Sequence, residues 1–215
     1  MVAIGSPFRL VLVAVDDDLA SAWDRSCRDL AGVEVYRGSI LDVKCDAMVS
    51  PANSYGFMSG GIDAVYARRF GVRIMSRVRD QILEHHGGEL LVGDADVVET
   101  GDGEIPFLIV APTMRVPMRL KETVNPYLAA RAVLRLVQHG TFRGAPFPGV
   151  AVRDLIAVVA MPGLGTGTGC VSADTCARQV RAAYEEVVMG RFTMPPTLAE
   201  ASARHRAMAV DRRRR

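Results

Sequence analysis

The chain has 215 residues, 49% of them hydrophobic and 23% charged, with a formal net charge of +2. This length and composition are typical of one globular domain, and they exclude a fibrous or largely disordered chain. The charge is uneven, because seven arginines and two acids follow residue 190, which gives that segment +5 and leaves −3 for the rest. A basic domain surface built to bind nucleic acid is therefore not supported.

The first half of the chain alternates between strand-like and helix-like patterns. Residues 10–15 form an apolar, β-branched run typical of a strand buried on both faces. Asp17 and Asp18 are candidate N-caps for a helix over residues 19–30, on which Trp23 is expected to be packed. Strands are expected at residues 33–37 and 47–50, and helices at residues 62–70 and 73–86.

The second half continues the alternation. Its expected strands are residues 90–100, 107–111 and 155–160, and its expected helices are residues 127–139 and, with Ser172 as N-cap, a segment that ends near residue 189. Strands that alternate with helices predict a three-layer α/β/α sandwich around a mixed central sheet. We expect one domain over residues 1–190, followed by a basic C-terminal tail, helical or disordered, over residues 191–215.

The cysteines and the apolar runs bear on compartment and cofactors. Cys27, Cys45, Cys170 and Cys176 form no CxxC pair and no cysteine–histidine spacing typical of zinc. We therefore expect reduced thiols, no metal, no cofactor and a cytoplasmic location. The N-terminal apolar run is too short for a secretory signal, and no run reaches the ~18 residues needed to cross a bilayer, so no membrane contact is expected.

Two glycine-rich loops carry the strongest functional signal, and each lies between an expected strand and an expected helix. The first spans residues 50–63, and the second spans residues 162–169 with the sequence P-G-L-G-T-G-T-G. Glycines let backbone N–H groups approach an anion closely, and a helix N-terminus adds a favourable dipole. Two such loops at the carboxyl ends of strands predict a cleft for a diphosphate. The alternative is that the glycines only permit tight turns.

Neither loop is a standard nucleotide fingerprint. The second loop has Thr168 or Cys170 where the third glycine of a dinucleotide-binding motif belongs, and no GK[ST] follows either loop. Three short motifs instead resemble the macro domain family: Gly38-Ser39-Ile40, the string S-P-A-N-S at residues 50–54, and G-G-I-D at residues 60–63. The similarity covers roughly residues 10–189. It looks closest to a bacterial branch of stand-alone macro proteins, some labelled phage-tail-like, with similar A-P-T-M-R-V-P and P-G-L-G-T-G strings.

The resemblance implies a cleft for ADP-ribose. Asn53 matches the family asparagine that holds the distal ribose hydroxyls, and an amide can donate and accept at once; alternatively, Asn53 only shapes its loop. Asp63 matches the aspartate of the hydrolytic branches, which orients a water or the ribose; alternatively, it only favours the helix dipole. The other residues expected to contact the ligand are Ser39, Ile40, Ser54, Gly60, Gly61, Ile62, Gly163, Leu164, Gly165, Thr166, Gly167 and Thr168.

Two departures from the family pattern stand out. Ser39 occupies the position of the aspartate that receives the adenine amino group, so we expect weaker adenine selectivity unless Asp16, Asp17 or Asp18 substitutes for it. Ser50 and Pro51 replace asparagine and alanine, and proline removes a backbone donor.

Four functional hypotheses remain open at this point. The leading one is an enzyme that removes ADP-ribose from a modified protein or nucleic acid, or that deacylates O-acyl-ADP-ribose. The second is a non-catalytic reader of ADP-ribose or a related nucleotide. A third is a drifted site, marked by Ser39, that serves a phage or assembly role. A fourth is that the arginine tail ending at residues 212–215 contacts nucleic acid, the simpler alternative being a solvated end.

Overall fold

A computed structural model describes residues 8–209, in which six strands form one sheet. The strands are β1 (Arg9–Ala14), β2 (Val33–Arg37), β3 (Ala47–Ser50), β4 (Asp96–Glu99), β5 (Phe107–Val110) and β6 (Val158–Met161). The helices described are α1 (Asp17–Cys27), α2 (Gly61–Phe70), α3 (Arg73–His86), α4 (Asn125–His139), α5 (Val152–Leu155), α6 (Ala173–Val187) and α7 (Leu198–Ala209). Of these helices, none is long and apolar enough to cross a lipid bilayer.

The strand order is β2-β1-β6-β3-β5-β4, and every neighbouring pair is parallel except β4 with β5. Parallel neighbours need crossover connections, which the helices supply. The carboxyl ends of the five parallel strands consequently leave the sheet at one edge. The predicted mixed sheet is confirmed.

Two hydrophobic cores cover the two faces of the sheet, as the alternation of side chains along β1 illustrates. Leu10 and Leu12 belong to the core that contains the buried residues of α1, α4, α5 and α6. Val11 and Val13 belong to the other core, with those of α2 and α3. Successive side chains of a strand point to opposite faces, so one strand feeds both cores. Trp23 is fully buried in the first core, as expected. The predicted three-layer α/β/α sandwich is thereby confirmed.

Three predicted boundaries are wrong. The N-cap of α1 is Asp16, whose carboxylate accepts from the Leu19 N–H at 2.8 Å, and not Asp17 or Asp18. The strand predicted over residues 90–100 is only β4, because the chain turns before it with a hydrogen bond from Asp94 N–H to the Leu91 carbonyl. The strand predicted over residues 155–160 begins later, since residues 152–155 form the helical turn α5.

The C-terminal segment contains α7, which packs on α6. Arg178 donates to the Ala207 carbonyl and Gln179 to the Met208 carbonyl, each at 3.0 Å, and Ala209 is buried. The fully buried Gln179 amide also donates to the Thr123 carbonyl at 2.7 Å. Residues 212–215, which carry the hypothesis of nucleic-acid contact, lie outside the described residues.

Candidate functional site

A cleft of about 350 Å³ opens at the edge of the sheet where the parallel strands end. Its volume falls in the range of small-molecule sites, roughly 300–1,000 Å³. Both glycine-rich loops contribute residues to its lining. The sequence-predicted residues that the fold brings together there are Ile40, Asn53, Gly60, Gly61, Ile62, Asp63, Gly163, Gly165, Thr166, Gly167 and Thr168.

Three of the predicted ligand contacts do not line the cleft. Ser39 caps the single 3-10 turn that follows β2, where its hydroxyl accepts from the Leu41 N–H at 3.2 Å. Ser54 is buried, and its backbone pairs with Met114 and Leu90. Leu164 is a fully buried core residue. Helix capping, backbone pairing and core packing explain where these three residues lie. A comparison of sequence motifs does not reveal such requirements.

Sequence reasoning named Asp16 as a possible substitute for Ser39 but did not assign the other cleft residues that follow β1 and β5. After β5, Thr113, Met114 and Pro117 line one side of the cleft. At the end of β1, Val15 and Asp16 line another. These residues could have been found from the sequence, because the residues that follow each parallel strand lie at the same edge of the sheet.

The first loop runs directly into α2. Gly60 is the N-cap of this helix and forms no side-chain cap, so the first N–H groups of α2 keep their hydrogen-bonding capacity. A Cβ placed on Gly60 or Gly61 would meet no atom within 4 Å, so both backbones face open space. Gly61 also has a φ of +56°, which favours glycine. This arrangement suits the close approach of an anion.

The second loop is held by hydrogen bonds of its own backbone. The Val171 N–H donates to the Gly165 carbonyl at 3.0 Å, and the Leu120 N–H donates to the Gly169 carbonyl at 2.8 Å. The helix that follows, α6, begins after the loop and has Ser172 as a side-chain cap. The predicted helix-dipole contribution therefore has a direct structural basis at the first loop and a weaker one here.

The Asn53 side chain is engaged within its own loop. Its amide oxygen accepts from the N–H groups of Tyr55 at 3.2 Å and Phe57 at 3.3 Å, and its amide nitrogen donates to the Phe57 carbonyl at 2.8 Å. A side-chain amide has two N–H donors and two acceptor lone pairs. Within the described part of the chain, one Asn53 N–H is left for a ligand, while the oxygen is committed to the loop.

Asp63 is held at the floor of the cleft by a contact that the sequence does not suggest. The Ser50 hydroxyl, at the end of β3, donates to the Asp63 carboxylate at 2.5 Å. One helical turn later, the Tyr66 hydroxyl donates to the Val49 carbonyl at 3.0 Å. These two bonds fix α2 on consecutive residues of β3, and they determine where the carboxylate points.

Burial dominates the electrostatics of Asp63, which is 8% exposed. Desolvation raises the pKa of its carboxyl from 3.8 to about 6, although the hydrogen bond from Ser50 opposes that rise. A carboxylate with a pKa near neutrality in a cleft is a candidate acid–base group.

Backbone groups supply the positive potential of the cleft. Its described lining contains Asp16 and Asp63 and no basic side chain. An anion would therefore be held by N–H groups and the hydroxyls of Thr166 and Thr168. Over residues 8–209, no group of three or more His, Cys, Asp or Glu side chains is arranged to hold a metal ion.

The sequence model of the macro domain matches residues 49–180, which include both glycine-rich loops. The chain belongs to the macro domain family. An uncharacterized protein of Aquifex aeolicus is 32% identical over 146 residues, which are 68% of this chain and 76% of the relative. An uncharacterized protein of Aeropyrum pernix is 30% identical over 157 residues, 73% of this chain and 71% of the relative.

Solved macrodomains share the fold of this macro domain. The macrodomain of Mycobacterium tuberculosis DarG superposes with a TM-score of 0.55 at 22% identity, over 71% of this chain and 90% of that chain. A glycine-to-valine variant of the Oceanobacillus iheyensis macrodomain with ADPR superposes with a TM-score of 0.52 at 18% identity, over 66% and 72%. At these identities the likeness establishes the fold alone.

Proposed function

We propose that this macro domain binds ADP-ribose, with the diphosphate between the two glycine-rich loops. The observation that carries the proposal is the first loop, where Gly60 and Gly61 face open space in front of the uncapped N-terminus of α2. Uncapped N–H groups bind a diphosphate without any basic side chain. The structure of the Oceanobacillus iheyensis macrodomain variant with ADPR supports a ligand of the same class.

The proposed ligand places its distal ribose beside Asn53 and Asp63. The remaining N–H of Asn53 donates to a ribose hydroxyl and holds the sugar against the cleft floor. With one Asp63 oxygen held by Ser50, the other is left to accept a proton from a water molecule. Because its pKa is about 6, Asp63 is mostly ionised at pH 7 and competent as a base.

The proposed reaction is hydrolysis of the bond that joins ADP-ribose to a protein or nucleic acid. A water loses a proton to Asp63, its oxygen bonds to the anomeric carbon, and the bond to the leaving group breaks. The proton then passes to the leaving group, so the carboxylate is regenerated. Hydrolysis of O-acyl-ADP-ribose uses the same base, with attack at the ester carbonyl instead.

The proposed setting is the cytoplasm. Within the described residues all four cysteines are free thiols, three of them buried, which fits a reducing compartment.

The test combines binding with turnover. Calorimetry with ADP-ribose measures binding, and release of ADP-ribose from a modified protein, a modified oligonucleotide and O-acetyl-ADP-ribose measures turnover. Asp63→Asn should lower turnover by a factor of about 10²–10⁴ while ADP-ribose affinity changes only a few-fold, because the base is removed and the shape is kept. Asn53→Ala should lower both.

Asp94→Asn is the matched control, since Asp94 is exposed and lies outside the cleft lining. Binding by the wild type without turnover of any of the three substrates would make the protein a reader. Absence of ADP-ribose binding, or unchanged turnover in both cleft variants, would contradict the proposal.

A further inference from the structure

A second pocket lies next to the cleft and shares Phe57 with it. This pocket has a volume of about 250 Å³ and is lined by residues of the first loop and of α3. Phe57 lines both spaces, and its carbonyl accepts from the Asn53 amide at 2.8 Å. Under the proposed function Asn53 holds the distal ribose, so the group joined to the anomeric carbon leaves the cleft beside Phe57.

The pocket presents large apolar side chains to solvent. Phe57 is 51% exposed and Leu83 is 68% exposed, while Ile82 is buried and Tyr55 is half-buried. Clustered exposed apolar side chains are typical of interaction sites. A partner that covers Phe57 and Leu83 would remove apolar surface from water, which stabilises a complex.

The pocket also contains an arginine that is held in place without a carboxylate. The Arg79 guanidinium lies 4.4 Å from the centroid of the Phe57 ring, and Nη1 donates to the Tyr55 carbonyl at 3.0 Å. Over residues 8–209 Arg79 forms no ion pair. Arg115 differs, because it lies over the Tyr55 ring and is paired with Glu89 at 2.6 Å. Arg79 therefore keeps charged N–H donors for an incoming carboxylate.

The chemistry of this surface fits a polypeptide better than a nucleic acid. One face of each aromatic ring is already covered by an arginine, so that face is closed to a stacking base. Asp80 lines the pocket as well, and it would repel a strand that carries a phosphate on every nucleotide. Aromatic and arginine side chains are enriched at interfaces between proteins.

We infer that this pocket binds the polypeptide that carries the ADP-ribose, with an apolar side chain against Phe57 and Leu83 and a carboxylate at Arg79. The inference rests on the proposed function, and it narrows the substrate class to a modified protein with apolar and acidic residues beside the modified position. The cleft then recognises the ADP-ribose, and the pocket recognises the sequence to which it is attached.

The test measures binding by calorimetry, with Asp63→Asn as the background so that turnover does not interfere. The ligands are ADP-ribose and three synthetic peptides with ADP-ribose on the same central residue. That residue is flanked by leucine and glutamate, by leucine and lysine, or by serine alone. We expect the leucine–glutamate peptide to bind roughly tenfold more tightly than the serine peptide, and the leucine–lysine peptide to lose most of that gain.

Leu83→Gln is the decisive variant, because Leu83 is exposed and lies outside the cleft lining. Glutamine has nearly the helix propensity of leucine, so α3 is retained. The variant should reduce the advantage of the leucine–glutamate peptide to a few-fold at most and leave the affinity for ADP-ribose unchanged. Leu198→Gln is the matched control, since Leu198 is exposed in α7, and it should change neither affinity.

Two results would overturn the inference. One is equal binding of the three peptides, and the other is an unchanged peptide preference in Leu83→Gln. An ADP-ribosylated oligonucleotide that binds more tightly than every peptide, with an affinity that Leu83→Gln lowers, would assign the pocket to nucleic acid instead. Absence of ADP-ribose binding would contradict the proposed function itself, which is a distinguishable result.

Discussion

The first loop passes straight into α2, whereas three residues separate the second loop from α6. At the first loop, Gly60 leaves the N-terminus of α2 without a side-chain cap. At the second, Ser172 caps α6, and the loop carbonyls of Gly165 and Gly169 accept backbone hydrogen bonds. Two loops with similar glycine content thus differ in whether an uncapped helix N-terminus follows them directly.

This difference gives the two loops different roles in binding a diphosphate. Unsatisfied donors at the start of a helix are fixed in direction, so they bind an anion without reorganisation. The hydrogen bonds at Gly165 and Gly169 occupy carbonyl oxygens and not N–H groups, so the second loop can still donate to an anion, but no helix terminus stands directly behind it. We expect the first loop to supply most of the affinity for a diphosphate, and the second to limit its access to water.

The largest expected effect concerns Asp63, which lies in the first turn of α2, directly after the first loop. Its carboxyl has a pKa of about 6 in the folded protein against 3.8 ordinarily, so ionising it costs about 3 kcal/mol of folding free energy. This stability is present below pH 4 and is lost as the pH rises through about 6. Asp63→Asn should therefore be about 3 kcal/mol more stable than the wild type at pH 7.5 and no more stable at pH 3.5.

Urea unfolding at the two pH values measures this difference. Turnover by the wild type should fall below pH 6, because the base is then protonated. A stability gain that persists at pH 3.5, or that is missing at pH 7.5, would contradict the assigned burial cost.

A matched pair of glycines tests the division of tasks between the loops. A Cβ at Gly60 or at Gly167 meets no atom within 4 Å, and both glycines line the cleft, so alanine is tolerated by the fold at either position. Gly60→Ala should weaken ADP-ribose binding roughly tenfold more than Gly167→Ala, since it obstructs charge-assisted N–H contacts. Calorimetry on both variants gives the ratio, and equal losses would mean that the loops hold the anion alike.

The smallest effect is expected at Ser172, the cap of α6, which follows the second loop. Ser172→Ala removes the cap of α6 and should cost about 1 kcal/mol of stability. If the α6 terminus takes no part in binding, the affinity for ADP-ribose stays the same. Denaturant unfolding and calorimetry separate the two quantities, and a loss of affinity without a loss of stability would place the α6 terminus at the ligand.

Much of the fold could be predicted because its signals are local. Buried strands such as β1 are continuous apolar runs, and the long helices α3, α4 and α6 have apolar faces at helical spacing. The error at α5 has the same origin. A short apolar run fits a strand or a helical turn equally well, and Leu155 is 36% exposed in the structure.

The cleft was only partly predictable, because its contacts join residues that are distant in sequence. Glycines in a loop are visible directly, so both loops could be placed at one site. The hydrogen bond from Ser50 to Asp63 spans 13 positions and depends on how α2 packs on β3. Asp16 and Ser39 follow neighbouring strands only because β1 and β2 pair in parallel, which periodicity does not specify.

The buried amide of Gln179 connects α7 with the segment that contacts the second loop of the cleft. Its NH₂ group donates to Met208 in α7 and to Thr123, while Leu120, three residues before Thr123, is bonded to Gly169. Helix α7 lies beyond residues 49–180, the part that matches the family. A chain shortened to residue 190 would keep every glycine of both loops and still strip an acceptor from that amide. The C-terminal helix is thus linked, through Gln179 and residues 120–123, to a loop of the cleft although no residue of α7 lines that cleft.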